Sequence, residues 1–298
     1  MKTSKKVIFV MIALVIALTA VLAACGGEKD IAVIARTSGS GTRDAFESIV
    51  KSEDGTALKD AGLMKGALEQ DKTSTVISLV SSTETGIGYV SLGSVDDSVK
   101  VLKVEGVEAT AENVLSGDYK MQRPFVIMTS KAMGENLTAA TKDFLAFLRS
   151  TQAQDVVEEE GYVRQDEGAT EYTAPASAVS GTVSISGSTS VDPLMDKLIG
   201  KYKEIGGASV AGVEISKNCQ GTSHGIAAVK ADKTGNVIGL GSSAVKEADE
   251  AEIAHFEIAL DAIAVIVNPE NTLGHITIAQ LLDIYTGKIV KFSALSAA

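Results

Sequence analysis

The sequence predicts an α/β fold built from open sheets, and three observations support this prediction. Short apolar runs with the character of strands alternate with helix-like stretches along most of the 298-residue chain. Hydroxyl-rich loops with glycine follow several of these runs, as residues 38–42 follow the run 31–35. Hydrophobic residues make up 45% of the chain, which suffices for one large domain or for two lobes. Ligands of open α/β sheets bind at the carboxyl ends of the strands, so these loops are the candidate site.

The N-terminal residues have the pattern of a secretory signal. Three lysines within the first six residues precede an apolar run over residues 7–22, and small residues follow at 23–26. The run is shorter than the roughly 20 residues that span a bilayer, which argues against a permanent transmembrane helix. We therefore predict a signal peptide over residues 1–24 and a protein that works outside the cytoplasm.

Residues 22–25, Leu-Ala-Ala-Cys, resemble a lipobox, the cleavage and lipidation site of bacterial lipoproteins. The resemblance implies cleavage before Cys25 and diacylation of that cysteine. Residues 25–30 would then be a lipid-anchored tether that holds the protein at the outer face of the cell membrane. A plain cysteine beside an ordinary cleavage site is the alternative.

The remaining elements follow from apolar periodicity and from glycine and proline signals. Strands are predicted at residues 31–35, 86–92, 99–104, 124–128, 183–186, 213–216, 237–240 and 258–267. Helices are predicted at residues 43–51, 109–115, 139–158, 191–205, 221–229 and 276–285. Residues 164–180 have no periodicity and are predicted to form a linker between the two halves.

Composition excludes several classes of function. The formal net charge of −11 disfavours nucleic acids and anionic lipid surfaces as partners. Apart from Cys25, the predicted lipidation site, Cys219 is the one cysteine of the chain, so a disulfide scaffold is excluded. We interpret Cys219 as a small packed residue rather than a nucleophile. Tryptophan is absent and aromatic residues make up 4% of the chain, which argues against a platform for stacking sugars.

Three loops carry the chemistry expected of an oxyanion site. Residues 38–42 lie between a predicted strand and a predicted helix, with Arg36 just upstream, and residues 187–190 and 221–223 repeat the hydroxyl and glycine pattern. Backbone N–H groups at a helix N-terminus are unpaired and partly positive, so a tetrahedral oxyanion fits there. Hydroxyl groups donate further hydrogen bonds, and one arginine can bind two oxygens. A tight turn from strand to helix is the structural alternative for each loop.

Several segments resemble the phosphate-binding lipoproteins that serve phosphate ABC importers. The similar segments are residues 36–46, 86–93, 123–127, 181–195, 258–269 and 285–289. The resemblance implies a two-lobed, type II periplasmic-binding-protein-like fold, in which each lobe is a mixed sheet flanked by helices and the ligand lies in the cleft between the lobes. It also implies a monomer without cofactor, metal or catalytic residues that captures inorganic phosphate and delivers it to an ABC permease. A hinge is expected where the chain crosses between lobes, near residues 123–126 and 265–268.

The order of the similar segments is inverted relative to that family. The family's first half corresponds to residues 181–292, and its second half corresponds to residues 31–163, which here come first. The resemblance therefore implies a circular permutant, which is tolerable because native termini often lie close together. One lobe is expected to contain residues 31–123 plus 268–298 and the other residues 124–267, including the linker. The alternative is a fragment that needs a partner chain.

The resemblance implies a set of phosphate-binding residues drawn from the three loops and a strand end. They are Arg36, Ser40, Gly41, Thr42, Thr189, Ser190, Thr222, Ser223 and Ser242. Ser38 and Ser242 stand where members of the family can have Asp. A carboxylate there would accept the proton that phosphate keeps at neutral pH and would repel sulfate. With serine at both positions, hydroxyls or another acid such as Glu84 would have to discriminate phosphate from sulfate.

Other classes of function remain as alternatives. An enzyme is disfavoured because His224, His255 and His275 lack metal-ligand spacing, and no nucleophile elbow or Walker A loop is present. His224 lies inside an anion loop and is a candidate for binding, whereas Asp261 is interpreted as a paired structural carboxylate. The further alternatives are a binder of sulfate or arsenate and a surface sensor or scaffold without a role in transport.

Overall fold

The computed structural model of the chain describes residues 28–295. The predicted signal peptide, the predicted lipidation site Cys25 and the first half of the predicted tether, residues 25–27, lie outside these residues. Within the described range, no helix is both long enough and apolar enough to cross a membrane.

Strands and helices alternate as the sequence predicts. The strands are β1 (Ala32–Arg36), β2 (Leu68–Gln70), β3 (Gly86–Ser91), β4 (Lys100–Val104), β5 (Gln122–Ser130), β6 (Val163–Arg164), β7 (Ser180–Gly187), β8 (Gly212–Cys219), β9 (Val237–Gly241), β10 (Ile253–Val267) and β11 (His275–Ile276). The α-helices are α1 (Gly41–Ile49), α2 (Leu58–Ala61), α3 (Thr73–Ser82), α4 (Ala111–Leu115), α5 (Ala139–Leu148), α6 (Thr151–Glu159), α7 (Asp192–Gly206), α8 (Thr222–Ala231), α9 (Glu247–Glu250) and α10 (Ile278–Tyr285).

Several elements differ from the sequence prediction, and two differences bear on the site and the second core. The helix predicted over 139–158 is divided into α5 and α6, because Ser150 interrupts it and caps α6 by accepting a hydrogen bond from the backbone N–H of Ala153. Strand β2 and helix α3 lie in a part of the chain for which no element was predicted.

The strands form a mixed sheet with a parallel group at each end. Its main order is β2-β1-β3-β10-β5-β9-β7-β8, and β4, β6 and β11 pair beside this path. Strand β1 is parallel to β2 and β3, and β7 is parallel to β8 and β9. Strand β10 runs antiparallel to both β3 and β5, so it joins the two parallel groups.

The partner of β10 changes at one point along its length. Asp261 lies opposite Arg123 of β5, whereas Ile263 lies opposite Ser91 of β3. The resemblance implies a crossing near residues 265–268, within an apolar run that is continuous in sequence. In the structure residues 263–267 pair with β3 and β4, so the crossing occurs earlier in the strand.

Two large hydrophobic cores lie on either side of this crossing. The first core takes its buried residues from 31–121 and 262–295, together with Val163, and contains Phe46 stacked on Tyr89 at a centroid distance of 3.8 Å. The second core takes its buried residues from 125–259 and contains Phe144 against Tyr202 at 4.9 Å. Aromatic pairs at these separations contribute beyond their buried area. The assignment of residues 31–123 plus 268–298 to one lobe and 124–267 to the other stays a prediction, which these two cores support.

The segment predicted to be a linker is fastened to the second core. The backbone N–H of Thr151 donates to the carbonyl of Thr170 at 3.0 Å. The backbone N–H of Tyr172 donates to Gln152 at 2.9 Å, and the Tyr172 hydroxyl donates to Asp143 at 3.0 Å. The Tyr172 ring is buried in the second core. The segment is irregular in structure but is held to the second core at residues 170–172.

Replacing Tyr172 with alanine should destabilise the protein. The Tyr172→Ala change removes a buried ring and should lower the free energy of unfolding by about 3–5 kcal/mol. The Tyr172→Phe control removes only a hydroxyl and should cost about 1 kcal/mol, since Asp143 keeps its bond from Tyr202 at 2.7 Å. Urea denaturation measures both values. Equal stability of Tyr172→Ala and the unchanged protein would show that the segment is not fastened.

Candidate functional site

The hydroxyl-rich loops lie where parallel strands end and helices begin. Residues 37–40 connect β1 to α1, and Ser40 caps that helix by accepting from the backbone N–H of Arg43 at 3.4 Å. Residues 188–191 connect β7 to α7, and Gly221 precedes α8. Because β7 is parallel to β8 and β9, the ends of these strands share one edge of the sheet. The loops of the two parallel groups meet, since the backbone N–H of Ser223 donates to the carbonyl of Gly39 at 3.1 Å.

Arg36, at the end of β1, is a buried cation whose hydrogen-bond acceptors are all neutral. The residue is 2% exposed. Its guanidinium donates to the backbone carbonyls of Gln70 at 3.3 Å and Asp71 at 2.7 Å, and to the hydroxyls of Thr73 at 3.2 Å and Thr189 at 3.0 Å. Among the described residues, no carboxylate forms an ion pair with it.

Burial has an electrostatic consequence for Arg36. Desolvation lowers the pKa of its guanidinium to about 10, so the charge persists at neutral pH but is held at a cost. A buried charge without a counter-ion is unfavourable by several kcal/mol. An anion next to Arg36 would remove that cost.

A chain of hydroxyls in contact with one another begins at this guanidinium, and we call it the hydroxyl cluster; all its members are buried except Thr189, which is half-buried. Its members are Thr42, Thr73, Ser188, Thr189, Ser190, Thr222 and Ser242. The Thr42 and Ser190 oxygens lie 2.9 Å apart, and the Ser188 hydroxyl donates to Ser242 at 2.8 Å. The Thr222 and Ser242 oxygens lie 3.3 Å apart. Each hydroxyl can donate or accept, so the cluster can redirect its hydrogen bonds to an anion.

Glycines let the loops approach one another closely. A Cβ on Gly41 would lie 2.4 Å from Oγ1 of Thr222 and 2.8 Å from Oγ of Ser242. Gly39 has a φ of +87°, and a Cβ there would lie 2.4 Å from Oγ of Ser223. A side chain at either position would therefore force the loops apart.

The nine sequence-predicted binding residues come together in this region. Arg36, Thr42, Thr189, Ser190, Thr222 and Ser242 form the guanidinium and most of the hydroxyl cluster. Ser40, Gly41 and Ser223 lie at its border, in the loop contacts just described. Their assignment as ligands of phosphate stays a prediction.

Other residues singled out in the sequence lie elsewhere. Ser38 is exposed, and Glu84 is exposed and pairs with Lys29 at 2.6 Å, so the suggestion that Glu84 supplies an acid to the site is wrong. The His224 ring lies 3.4 Å from the Asn218 amide. Cys219 is half-buried with its thiol donating to Asp192, and burial raises the pKa of that thiol to about 12, as expected of an unreactive cysteine.

Sequence reasoning missed Thr73 and Ser188. Thr73 begins α3, and a signal was present in the hydroxyl run 73–75 that opens an apolar helix. It was overlooked because β2, the strand before it, has only 3 residues and no apolar alternation. Ser188 lies inside the predicted loop 187–190 but is not among the predicted phosphate-binding residues.

A buried ion pair lies beside the cluster at the point where β10 changes partner. Arg123 contacts Asp261 through Nε at 3.0 Å and Nη2 at 2.9 Å, and the Ser91 hydroxyl donates to the other carboxylate oxygen at 2.8 Å. Burial raises the pKa of Asp261 to about 6, although Arg123 favours its charged form. The interpretation of Asp261 as a paired structural carboxylate is confirmed. Arg123 also donates to the backbone carbonyl of Ser242 at 3.2 Å, which links the crossing to the cluster.

A cleft of about 800 Å³ opens onto the cluster at Thr73 and Thr189. Its other walls come from the exposed side of α3, the turn at residues 93–98 and the start of α7. The remaining members of the cluster do not line the cleft. Thr73 and Thr189 therefore lie between the cleft and the guanidinium.

Comparisons with known proteins place the chain in a family. A family model described as the PBP superfamily domain matches residues 17–152 and 172–297. The phosphate-binding protein PstS 2 of Streptococcus pneumoniae TIGR4 is 38% identical over 285 residues, which are 92% of this chain and 94% of that protein. The chain belongs to the PstS family of the PBP superfamily. This is a family of solute-binding proteins rather than enzymes, so the chain is a binding protein.

Further members show how far the likeness extends. A crystal structure of a phosphate ABC transporter, phosphate-binding protein from S. pneumoniae TIGR4 matches with a TM-score of 0.66 and 37% identity, over 90% of this chain and all of that chain. The two-lobed α/β fold predicted from the sequence is thereby confirmed. The PstS of Bacillus subtilis strain 168 is 31% identical over only 140 residues, 46% of this chain and 43% of that protein.

The close approach of loops in this PstS-family chain predicts opposite effects at two glycines. Gly41→Ala should lower the free energy of unfolding by about 1–3 kcal/mol, because the new methyl overlaps Thr222 and Ser242. Gly200→Ala is the control: Gly200 lies within α7 with nothing within 4 Å of the added carbon, so alanine should stabilise by about 0.5–1 kcal/mol. Urea denaturation measures both. A stabilised Gly41→Ala variant would contradict the packing described.

Proposed function

We propose that this chain captures inorganic phosphate outside the cytoplasm and delivers it to an ABC permease. The observation that carries the proposal is the buried guanidinium of Arg36, which faces a cluster of hydroxyls and has no carboxylate partner among residues 28–295. The relatives support phosphate as the anion and an ABC transporter as the partner, since they are a phosphate-binding protein and the phosphate-binding protein of a phosphate ABC transporter.

The geometry explains how a tetrahedral oxyanion would be held. Arg36 supplies the compensating charge and two donating nitrogens on the side of Thr73 and Thr189. Thr42 follows β1 of one parallel group of strands, and Ser190 follows β7 of the other. Both would turn their hydroxyl protons toward the anion. Bonds to a charged acceptor are stronger than those between neutral hydroxyls. The anion would therefore stabilise the arrangement in which the loops of both groups meet.

The predicted site residues divide into three roles under this proposal. Arg36 is the cation. Side-chain hydroxyl donors are Ser40, Thr42, Thr189, Ser190, Thr222, Ser223 and Ser242. Gly41 gives the anion and the facing loop access to the backbone N–H groups at the start of α1.

We also propose the predicted anchor and the permuted order. Lipidation of Cys25 would keep a monomer at the outer face of the membrane, next to its permease. The match to PstS 2 covers nearly the full length of the chain, whereas the match to the B. subtilis protein covers about half. A half-length match supports a permutation relative to the B. subtilis protein, because a linear alignment of two permuted sequences can pair only one of their halves. The ends of the described chain also lie together, since Ile31 N–H donates to the carbonyl of Val290 at 2.8 Å.

Removing the charge of Arg36 should abolish tight binding. Arg36→Met keeps the length of the side chain but loses at least two bonds to a charged ligand, so phosphate affinity should fall at least about 100-fold. Arg149→Met is the matched control, because Arg149 lies on the ring of Phe256, 3.9 Å from its centroid, and not at the cluster. Calorimetry on protein freed of phosphate by unfolding and dialysis gives both affinities. Tight binding by Arg36→Met would contradict the proposal, and absence of binding by the unchanged protein would favour a sensor or scaffold.

One observation favours a second tetrahedral anion as a ligand. No carboxylate oxygen of the described residues contacts the hydroxyl cluster, so nothing there repels an anion that has no proton to donate. Sulfate should therefore compete with phosphate within about tenfold in affinity.

A designed carboxylate tests this selectivity. Ser242→Asp should weaken sulfate binding more than phosphate binding, because phosphate can donate its proton to the new carboxylate. Ser38→Asp is the control, since Ser38 is exposed and should leave the ratio of the two affinities unchanged. Competition calorimetry gives the ratio for each variant. Rejection of sulfate by the unchanged protein, by about 1,000-fold or more, would show that hydroxyls alone discriminate.

A further inference from the structure

We propose that Thr73, the first residue of α3, is a further ligand of the bound anion and is one of the two hydroxyl groups that the anion meets first on its path into the site. The inference rests on the proposed function, because it adds a residue to that same site. Thr73 comes from the β2–α3 connection, a segment outside the loops from which the predicted binding residues were drawn.

The contacts of the Thr73 hydroxyl place it inside the shell of groups that would hold the anion. Its Oγ1 lies 3.2 Å from Nη1 of Arg36, 3.2 Å from Oγ1 of Thr189 and 3.2 Å from Oγ of Ser190. A hydroxyl has one proton and two lone pairs, so these three contacts use its whole capacity. Arg36 can only donate, so the proton of Thr73 is directed to Thr189 or Ser190.

An anion would change this pattern in a defined way. If Thr189 and Ser190 turn toward anion oxygens, the proton of Thr73 loses its neutral acceptor and is free to bind the anion as well. Thr73 would still accept from Arg36, so the threonine would both orient the guanidinium and contact the ligand. The residue is 5% exposed and borders the cleft, so its hydroxyl lies within reach of an anion that enters there.

Capping of α3 does not account for these contacts. The Thr73 hydroxyl has no hydrogen bond to the backbone of its own helix among the described contacts. No side chain caps the N-terminus of α3, and Thr75, two residues further along, donates its hydroxyl to the carbonyl of Lys72 at 2.8 Å. The hydroxyl of Thr73 therefore has no part in capping and contacts only groups of the site.

The position of Thr73 also sets the route of entry. Thr73 and Thr189 line the cleft of about 800 Å³, whereas Arg36, Thr42 and Ser190 lie behind them and are at most 2% exposed. An anion that arrives through the cleft meets these two hydroxyls before the guanidinium. Both hydroxyls must therefore separate from each other for the anion to pass.

Calorimetric titration of phosphate into the purified, phosphate-free protein tests the assignment. Thr73→Val has nearly the same shape without the hydroxyl and should lower phosphate affinity about tenfold or more. Thr73→Ser keeps the hydroxyl and should stay within about threefold of the unchanged protein. Thr75→Val is the matched control on the same helix and should also stay within about threefold. Thr73→Ala replaces the valine variant if the latter does not fold.

A second background separates a ligand from a residue that only orients Arg36. In Arg36→Lys, Thr73→Val should lower the remaining affinity further, since the hydroxyl contacts the anion itself. No further loss in that background, or wild-type affinity of Thr73→Val, would overturn the inference. Failure of the unchanged protein to bind phosphate would instead overturn the proposed function, so the two failures are distinct.

Discussion

The uncompensated charge of Arg36 is the constraint around which the site is organised. A guanidinium in this position is unfavourable unless every N–H group has an acceptor, and the carbonyls of Gln70 and Asp71 provide acceptors without adding charge. A carboxylate would neutralise the charge more fully, but it would also occupy the place of an anionic ligand. Hydroxyls solve both problems, because they accept from the guanidinium now and can donate to an anion later. The unfavourable free energy stored in the site is therefore the desolvation of the Arg36 charge.

The second buried arginine shows the opposite solution. Arg123 is held by Asp261 with two nitrogens on one oxygen, and Ser91 satisfies the other oxygen. This pair joins β3, β5 and β10 at the crossing, and Arg123 holds the backbone of Ser242 at the same time. A buried pair of this kind contributes little to stability, but it fixes geometry. One arginine thus holds the framework in register, and under the proposed function the charge of the other is left for a ligand.

Much of the fold and most of the site could be predicted from local sequence. An apolar run followed by glycine and a capping hydroxyl, as at Ser40, is a sequence signal for a strand–loop–helix unit, so the three loops are predictable. The features that the sequence does not predict depend on tertiary contacts. Strand β2 is short and partly exposed, and Thr73 matters only because Arg36 and Thr189 lie beside it. The point where β10 changes partner is equally invisible, since both partners bury the same apolar run.

The interleaving of the two cores has a consequence for synthesis. The second core is complete once residue 259 has been made, whereas the first core brings residues near Ile31 together with α10 and Leu295. On a ribosome the middle of the chain can therefore fold while the first strands still wait for their partners. Those early strands, β1 and β3, would emerge with apolar surface uncovered and would depend on the last segment of the chain to bury it. A chain that stops short of α10 would keep a folded second core. It would lose part of the first core, which holds β1 in place and with it Arg36 at the end of that strand.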